Sequence, residues 1–278
     1  MPKDRMPVTQ VAVVQHCATT NVEANLQTLE MLSRAAAAAG ADIVTWAEAF
    51  AYLGSHAGKQ EILERLPEGG PILERCQRLA DSLGIELLLG GFHEAVSDDP
   101  TKCYNTSVYL SASGEIAAMY RKIHLFDVDI ENGPTLMESR QTRAGDSTVL
   151  ANTQFGLLGV TVCYDVRFPG LYQSLVDQGA IALAVPSAFT ATTGAMHWHT
   201  LLRARAIENQ AYVIAPAQHG QHSKNRESYG HSLIVDPWGQ VIAEVASGDG
   251  YAIAPIDPGL VAKVRQEIPS LANRRSFS

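Results

Sequence analysis

The sequence predicts one α/β domain in which helices cover two β-sheets. Three observations predict it. Strand-like apolar runs alternate with amphipathic helical runs along the whole chain, no Pro/Gly/Ser-rich linker interrupts them, and composition does not shift between the halves. With 278 residues, 46% of them hydrophobic, the chain can bury a sizeable core.

The elements follow in order. "VTQVAVVQH" reads as a strand. Residues 21–39 read as a helix with Leu26, Leu29 and Leu32 at helical spacing, closed by Gly40. "ADIVTWAE" is the next strand, and the helix "PILERCQRLADSLG" leads into the strand "IELLLGGF". "YNTSVYLS" and "EIAAMYRK" face each other across Ser113-Gly114, a hairpin signal. Residues 127–147 read as irregular and polar. Then come the strand "LLGVTV", a short helix over 170–178, the strand "AIALAVP", the helix "HWHTLLRARAIENQ" and the strand "AYVIAPA". "GHSLIVDPWGQVIAEV" is a hairpin turning at Pro237-Trp238-Gly239. The βα alternation in both halves suggests a pseudo-symmetric sandwich.

Composition excludes several function classes. The balance of 21 basic against 29 acidic residues argues against a nucleic-acid surface. The longest apolar stretches are too short to span a bilayer. "MPKDRMPVTQ" lacks the apolar segment of a secretory signal, so the expectation is a soluble cytoplasmic protein. Cys17, Cys76, Cys103 and Cys163 form no CxxC pair, which excludes the usual zinc knuckles and the thioredoxin motif. Three of them are expected to be buried packing residues. His197 and His199 stand two apart on a helix and point away from each other, so no metal site is expected there.

The candidate chemistry lies at strand ends. "GVTVCYDVRFPG" delivers Cys163 to a charged turn just before Pro169 and Gly170, which suit a helix start. A thiol near a helix N-terminus is biased towards thiolate, and the backbone N–H of Tyr164 stands beside it as an oxyanion donor. "DIVTWAEAF" ends on Glu48 between Trp46 and Phe50, and partial burial would raise its pKa towards neutrality. "MYRKIHLFD" embeds Lys122 after Tyr120, a candidate for holding an oxyanion. Glu138 in "LMESR" is placed to steady that lysine or a substrate nitrogen. Singly, each has a plainer explanation: a packed cysteine, a solvated carboxylate, a snorkelling lysine, a surface charge. Together they supply nucleophile, base and oxyanion stabiliser for acyl transfer, and no GxSxG, P-loop or GxGxxG motif competes.

In this order, Glu48 in "WAEAF", Lys122 in "YRKIHLFD", Glu138 in "MES" and Cys163 in "CYDVRFPG" resemble the nitrilase, or carbon–nitrogen hydrolase, superfamily, over nearly the whole chain. One departure is Ala47, where many members carry proline; it changes turn stiffness more than chemistry. The resemblance implies a four-layer α-β-β-α sandwich of the nitrilase type, a homodimer or higher homo-oligomer, a small-molecule amide substrate, and no metal or organic cofactor. "VPSAFTATTGAMHWHTLLRARAIENQAYVIAPAQHG" and "RESYGHSLIVDPWG" resemble the branch of ω-amidases and deaminated-glutathione amidases, more closely the latter, which release 2-oxoglutarate and cysteinylglycine. It also implies that Phe189 and Thr193 line the acyl pocket. Arg167 is the candidate partner of a substrate carboxylate, against an ion pair with Asp165 or Glu48. His219, His222, Lys224, Arg226 and His231 form a basic loop that is the candidate for the peptide carboxylate, against a merely solvated loop. Other readings are an ω-amidase acting on 2-oxoglutaramate, a non-catalytic metabolite-binding relative, and a redox thiol; the last lacks a resolving cysteine nearby in sequence.

Overall fold

The computed structural model describes residues 6–129 and 135–275. The first half runs β1 (Thr9–His16), α1 (Val22–Ala38), β2 (Ile43–Trp46), α2 (His56–Gln60), α3 (Pro71–Leu83), β3 (Glu86–Ala95), β4 (Cys103–Leu110), β5 (Ile116–Arg121), β6 (Asp127–Asp129) and β7 (Thr135–Met137). The second runs β8 (Val149–Thr153), β9 (Gly156–Val160), α4 (Pro169–Asp177), β10 (Ala182–Ala184), α5 (Ala191–Asn209), β11 (Tyr212–Ala215), β12 (Ala217–Ser223), β13 (Arg226–Tyr229), β14 (Ser232–Val235), β15 (Val241–Val245), β16 (Gly250–Ile256) and α6 (Pro258–Glu267).

One sheet has the order β13-β12-β1-β2-β3-β4-β5, with β16 also paired to β1; the other has the order β15-β14-β11-β10-β9-β8. The central strands are buried on both sides, and the pleat sends alternate residues to different cores. On β1, Ala12 and Val14 pack with Leu26, Leu29, Leu73 and Leu79 of α1 and α3. Val11 and Val13 instead join Leu158, Val160, Leu183 and Val213 of the second sheet, whose cluster continues into Leu175 of α4 and Leu202 of α5. β3 divides likewise, Leu87 and Leu89 to one side and Leu88 to the other. The layers are therefore α-β-β-α.

Local signals explain most boundaries. Asn21 caps α1, its side chain accepting from the Ala24 N–H at 3.0 Å. Gly84 ends α3 at φ +63°, where a Cβ would be strained. Elsewhere tertiary contact overrides the sequence pattern. α5 begins at Ala191, six residues before the apolar helical run, although Thr and Gly are weak helix formers. A side chain at Gly194 would meet Tyr229 at 2.3 Å, so the glycine admits β13 against the helix. The stretch 127–147 is not wholly irregular: β6 pairs antiparallel with β7, and Glu138–Arg140 forms a 3-10 turn. The polar strands β12 and β13 carry no alternating apolar pattern, and backbone pairing makes them strands. Cys76 and Cys103 are buried as expected, whereas Cys17 is only half-buried, its Sγ 3.6 Å from His222 Nδ1.

Two buried histidines set an acid limit on this fold. His16 donates from Nε2 to the Phe50 carbonyl at 3.0 Å, and His93 to the Tyr52 carbonyl at 2.9 Å. Burial, above all, lowers them to about 4 and about 3. Below the ordinary value of 6.5 the unfolded chain takes up protons that the native state refuses. Their contribution is therefore complete above pH 6.5 and lost as pH falls towards 4. At pH 5 the loss amounts to about 2 kcal/mol per histidine. Denaturant melts at pH 7.5 and pH 5 check this, and equal midpoints would refute it.

Candidate active site

Glu48 follows β2 by two residues, Lys122 follows β5 directly, Glu138 opens the turn after β7, and Cys163 lies three residues beyond β9. These points lie far apart in sequence, yet all four residues line one cavity of about 260 Å³. Lys122 is 2% exposed, and Glu48 and Cys163 are 7% exposed each. The Lys122 ammonium donates to Glu48 Oε1 at 3.1 Å and to Glu138 Oε2 at 2.8 Å. Asn105 donates from Nδ2 to Glu48 Oε1 at 2.7 Å and to Glu138 Oε1 at 3.2 Å. The Ala188 N–H reaches Glu48 Oε2 at 2.8 Å, and the Phe126 N–H reaches Glu138 Oε2 at 2.7 Å. The Cys163 thiol is near enough to the Glu48 carboxylate to help lower its pKa.

Two backbone devices aim the key groups. Cys163 has φ +49°, unusual for a residue with a Cβ, and its N–H is held by the Pro186 carbonyl at 2.9 Å. Ala49, just after Glu48, has φ +60°, and its N–H binds the Gly91 carbonyl at 3.2 Å. Gly90 and Gly91 are needed there. A Cβ on Gly90 would lie 2.6 Å from the Trp46 carbonyl, and one on Gly91, at φ +65°, would lie 2.8 Å from Glu48 Cγ. This bulge in β3 makes room for the carboxylate.

Asp165, fully buried, ties the thiol to the lysine. It accepts from Tyr120 Oη at 2.7 Å, the Val162 N–H at 2.9 Å, the His124 N–H at 3.1 Å and His124 Nδ1 at 2.7 Å. Those donors flank Lys122 and precede Cys163, so the knot locks one turn against the other. Asn105 escaped sequence reasoning, which gave Asp165 only as an alternative partner for Arg167. The readable signal for Asn105 was a polar side chain inside the strand run "KCYNTSVY".

Electrostatics correct two expectations. Burial alone would raise Glu48, as expected from the sequence. Here Lys122, the thiol, the Ala188 N–H and Asn105 outweigh it, and the carboxyl sits below its usual range. The Cys163 thiol is not biased towards thiolate: burial first, then the neighbouring Glu48 charge, push its pKa well up. Lys122 is pulled down by burial, but Glu138 and Glu48 more than restore it, and it stays charged. The resting site is thus thiol, carboxylate and ammonium.

The proposed substrate contacts divide. Cys163, Tyr164, Phe189 and Thr193 line a narrow slot of about 20 Å³ with Phe126, Ala188 and Thr190. Arg167 lines neither chamber. Its guanidinium lies 5.2 Å from the Phe189 ring centre and 3.3 Å from His197 Nδ1. The ion pair with Asp165 or Glu48 does not form, since both carboxylates are occupied as described. Of the basic loop, only Arg226 lines the larger cavity. His219 pairs with Asp249 at 2.7 Å, and His231 with Glu244 at 2.6 Å. His199 joins that same Glu244 at 3.1 Å, a cluster of two imidazoles and a carboxylate that spacing along the helix did not foretell. Lys59 is the further basic residue of the large cavity that sequence reasoning missed.

Comparisons with known proteins now bear on this arrangement. The family model described as carbon-nitrogen hydrolase matches residues 10–266. A deaminated glutathione amidase from Synechocystis is 43% identical over 266 residues, 95% of this chain and 97% of the relative. The human deaminated glutathione amidase is 42% identical over 268 residues, covering 95% of this chain and 82% of that one. Among solved structures, Saccharomyces cerevisiae Nit3, a member of branch 10 of the nitrilase superfamily, superposes with a TM-score of 0.87 at 30% identity, over 96% of each chain. The Caenorhabditis elegans NitFhit protein gives a TM-score of 0.90 at 36% identity, over 98% of this chain and 66% of that one. With a family match across most of its length and relatives above 40% identity, this chain belongs to the carbon–nitrogen hydrolase family.

Proposed function

We propose that this carbon–nitrogen hydrolase is an amidase that works through a Cys163 thioester, with deaminated glutathione as its substrate and 2-oxoglutarate and cysteinylglycine as products. The observation that carries the reading is the meeting of thiol, two carboxylates and one ammonium in a single cavity. The relatives named deaminated glutathione amidase support the substrate.

The chemistry begins from a protonated thiol. As sulfur attacks the amide carbon, the S–C bond forms and its proton passes to Glu48. The negative charge moves to the carbonyl oxygen, which Lys122 and the Tyr164 N–H hold. This timing answers the resting pKa values. When the oxyanion engages Lys122, the ammonium's hold on Glu48 weakens, and the carboxylate becomes a better base as it is needed. The C–N bond then breaks, and the amine leaves with the proton from Glu48. Glu48 next takes a proton from water as its oxygen attacks the thioester, releasing the carboxylic acid and restoring the thiol. Glu138 and Asn105 keep Lys122 and Glu48 in place. The slot of Phe189 and Thr193 takes the acyl chain after widening, and Arg167 beside it meets the oxo-acid carboxylate.

The whole chain acts as one catalytic unit. Exposed Met196 and Ile207 on α5, with Trp238, Val241 and Ile242 on the β14–β15 hairpin, offer an apolar face to a second copy in a homodimer. Among the described residues no helix is long and apolar enough to cross a membrane, which fits work in the cytoplasm.

Acid quenching during turnover, followed by peptide mass spectrometry, tests the reaction. The expected result is a 2-oxoglutaryl adduct on the Cys163 peptide, with faster turnover of deaminated glutathione than of 2-oxoglutaramate. Turnover with no adduct would end the thioester reading. Faster turnover of 2-oxoglutaramate would make the protein an ω-amidase instead.

A further inference from the structure

We propose that Lys59 and Arg226 form an anion-binding end to the larger chamber, which grips a carboxylate on the amine-leaving side of the substrate. This rests on the amidase reading and adds a site to it. Lys59 comes from α2 and Arg226 from the first position of β13, yet both line the cavity that holds Glu48, Lys122 and Cys163. Both are half-buried, and among the described residues neither forms an ion pair. Nearly every other cation near the cavity is matched: Lys122 is held by two carboxylates, and Arg121 by Glu94. Two cations half-buried in a cavity wall without a protein anion leave an anion site for a ligand.

The surroundings show the same field. His93, which lines this cavity, is lowered first by burial, then by Lys59, with a smaller contribution from Arg226. The chemical centre itself carries two carboxylates against one ammonium, so it repels a negatively charged substrate. Positive charge on the wall of the same chamber offsets that repulsion and orients the ligand.

Which limb of the substrate enters follows from the proton path. The leaving nitrogen takes its proton from Glu48, and Glu48 and Glu138 line the larger chamber but not the slot of Phe189 and Thr193. The amine limb therefore lies in the larger chamber, whose volume of about 260 Å³ suits a dipeptide amine better than the slot does. A dipeptide ends in a carboxylate, the group that a lysine and an arginine together bind well.

The test compares two amides of one acyl group, deaminated glutathione and the primary amide 2-oxoglutaramate, which lacks the amine-side carboxylate. Lys59→Met, Arg226→Gln and the double variant are assayed for KM and kcat on each, with thermal melts to check folding. Losing one charged hydrogen bond is expected to raise KM for deaminated glutathione about 10- to 100-fold. The ratio of kcat/KM between the two amides should shift by the same factor. An equal rise for both amides would assign the pair to the acyl carboxylate or to folding and overturn the proposal, as would no rise for either. Mass spectrometry of the variants separates this from the parent reading. A normal Cys163 adduct with unchanged KM sinks the anion site alone, whereas no adduct in the wild-type protein sinks the thioester.

Discussion

Cys163→Ala removes amide hydrolysis, with kcat falling by about 10⁵-fold or to the background of the assay. No second thiol can take its place. Cys76 and Cys103 are buried elsewhere in the fold, and Cys17 sits against His222 rather than against Glu48. The loss is chemical and not structural. Alanine keeps the Cβ that already tolerates φ +49°, and the Asp165 knot that shapes the turn uses no atom of the cysteine side chain. The melting temperature should stay within a few degrees of the parent while steady-state release of product stops. Hydrolysis retained above about a hundredth of the parent rate would remove Cys163 from the nucleophile's role.

Lys122→Met produces the second large effect, and it falls on both activity and stability. Methionine fills much of the same volume but leaves the buried Glu48 and the half-buried Glu138 without the ammonium they share. Breaking a buried pair by removing one partner costs about 3–5 kcal/mol, because the charge left behind has lost both water and its partner. For a chain of this size that corresponds to a fall in Tm of roughly 6–20 °C. Turnover falls by about 10³-fold or more, since oxyanion stabilisation disappears as well. The pH dependence identifies the cause. In the parent, Glu48 lies below its ordinary carboxylate range, so its contribution is full above about pH 4.5 and lost as pH falls further. In the variant, burial acts without the lysine, the carboxyl's pKa moves above its ordinary range, and protonation relieves the strain. The gap in Tm between variant and parent should therefore narrow from pH 7 to pH 5. A gap that stays constant would mean the lysine's role is packing alone.

Much of this site was legible in the chain. Strand ends point to Glu48, Lys122 and Cys163 only as a set: each alone has a plainer structural explanation, but a base, a cation and a thiol at three strand ends together suit acyl transfer. Their order and spacing resemble one superfamily, and the family match bears that resemblance out. Legibility failed where the signal was a relation between distant segments. The Asn105 amide bridges Glu48 and Glu138, but a single asparagine in a strand says nothing about what it will face. Asp165 looked like a partner for Arg167; it instead serves Tyr120 and His124. The polar β12–β13 ribbon read as a loop because backbone pairing leaves no hydrophobic pattern.

The protonation states show most clearly where the boundary lies. By itself the sequence determined the alternation of strands and helices and carried the motifs that resemble the family, which in turn implied the four layers; periodicity and residue type are local properties that need no folding to be read. Only the tertiary structure decided that the thiol rests protonated, that Glu48 rests ionised, and that Lys59 and Arg226 line one cavity. The reason is electrostatic. A side chain's charge state is set by its burial and by every charge within a few ångströms, and those neighbours come from strands that only folding brings together.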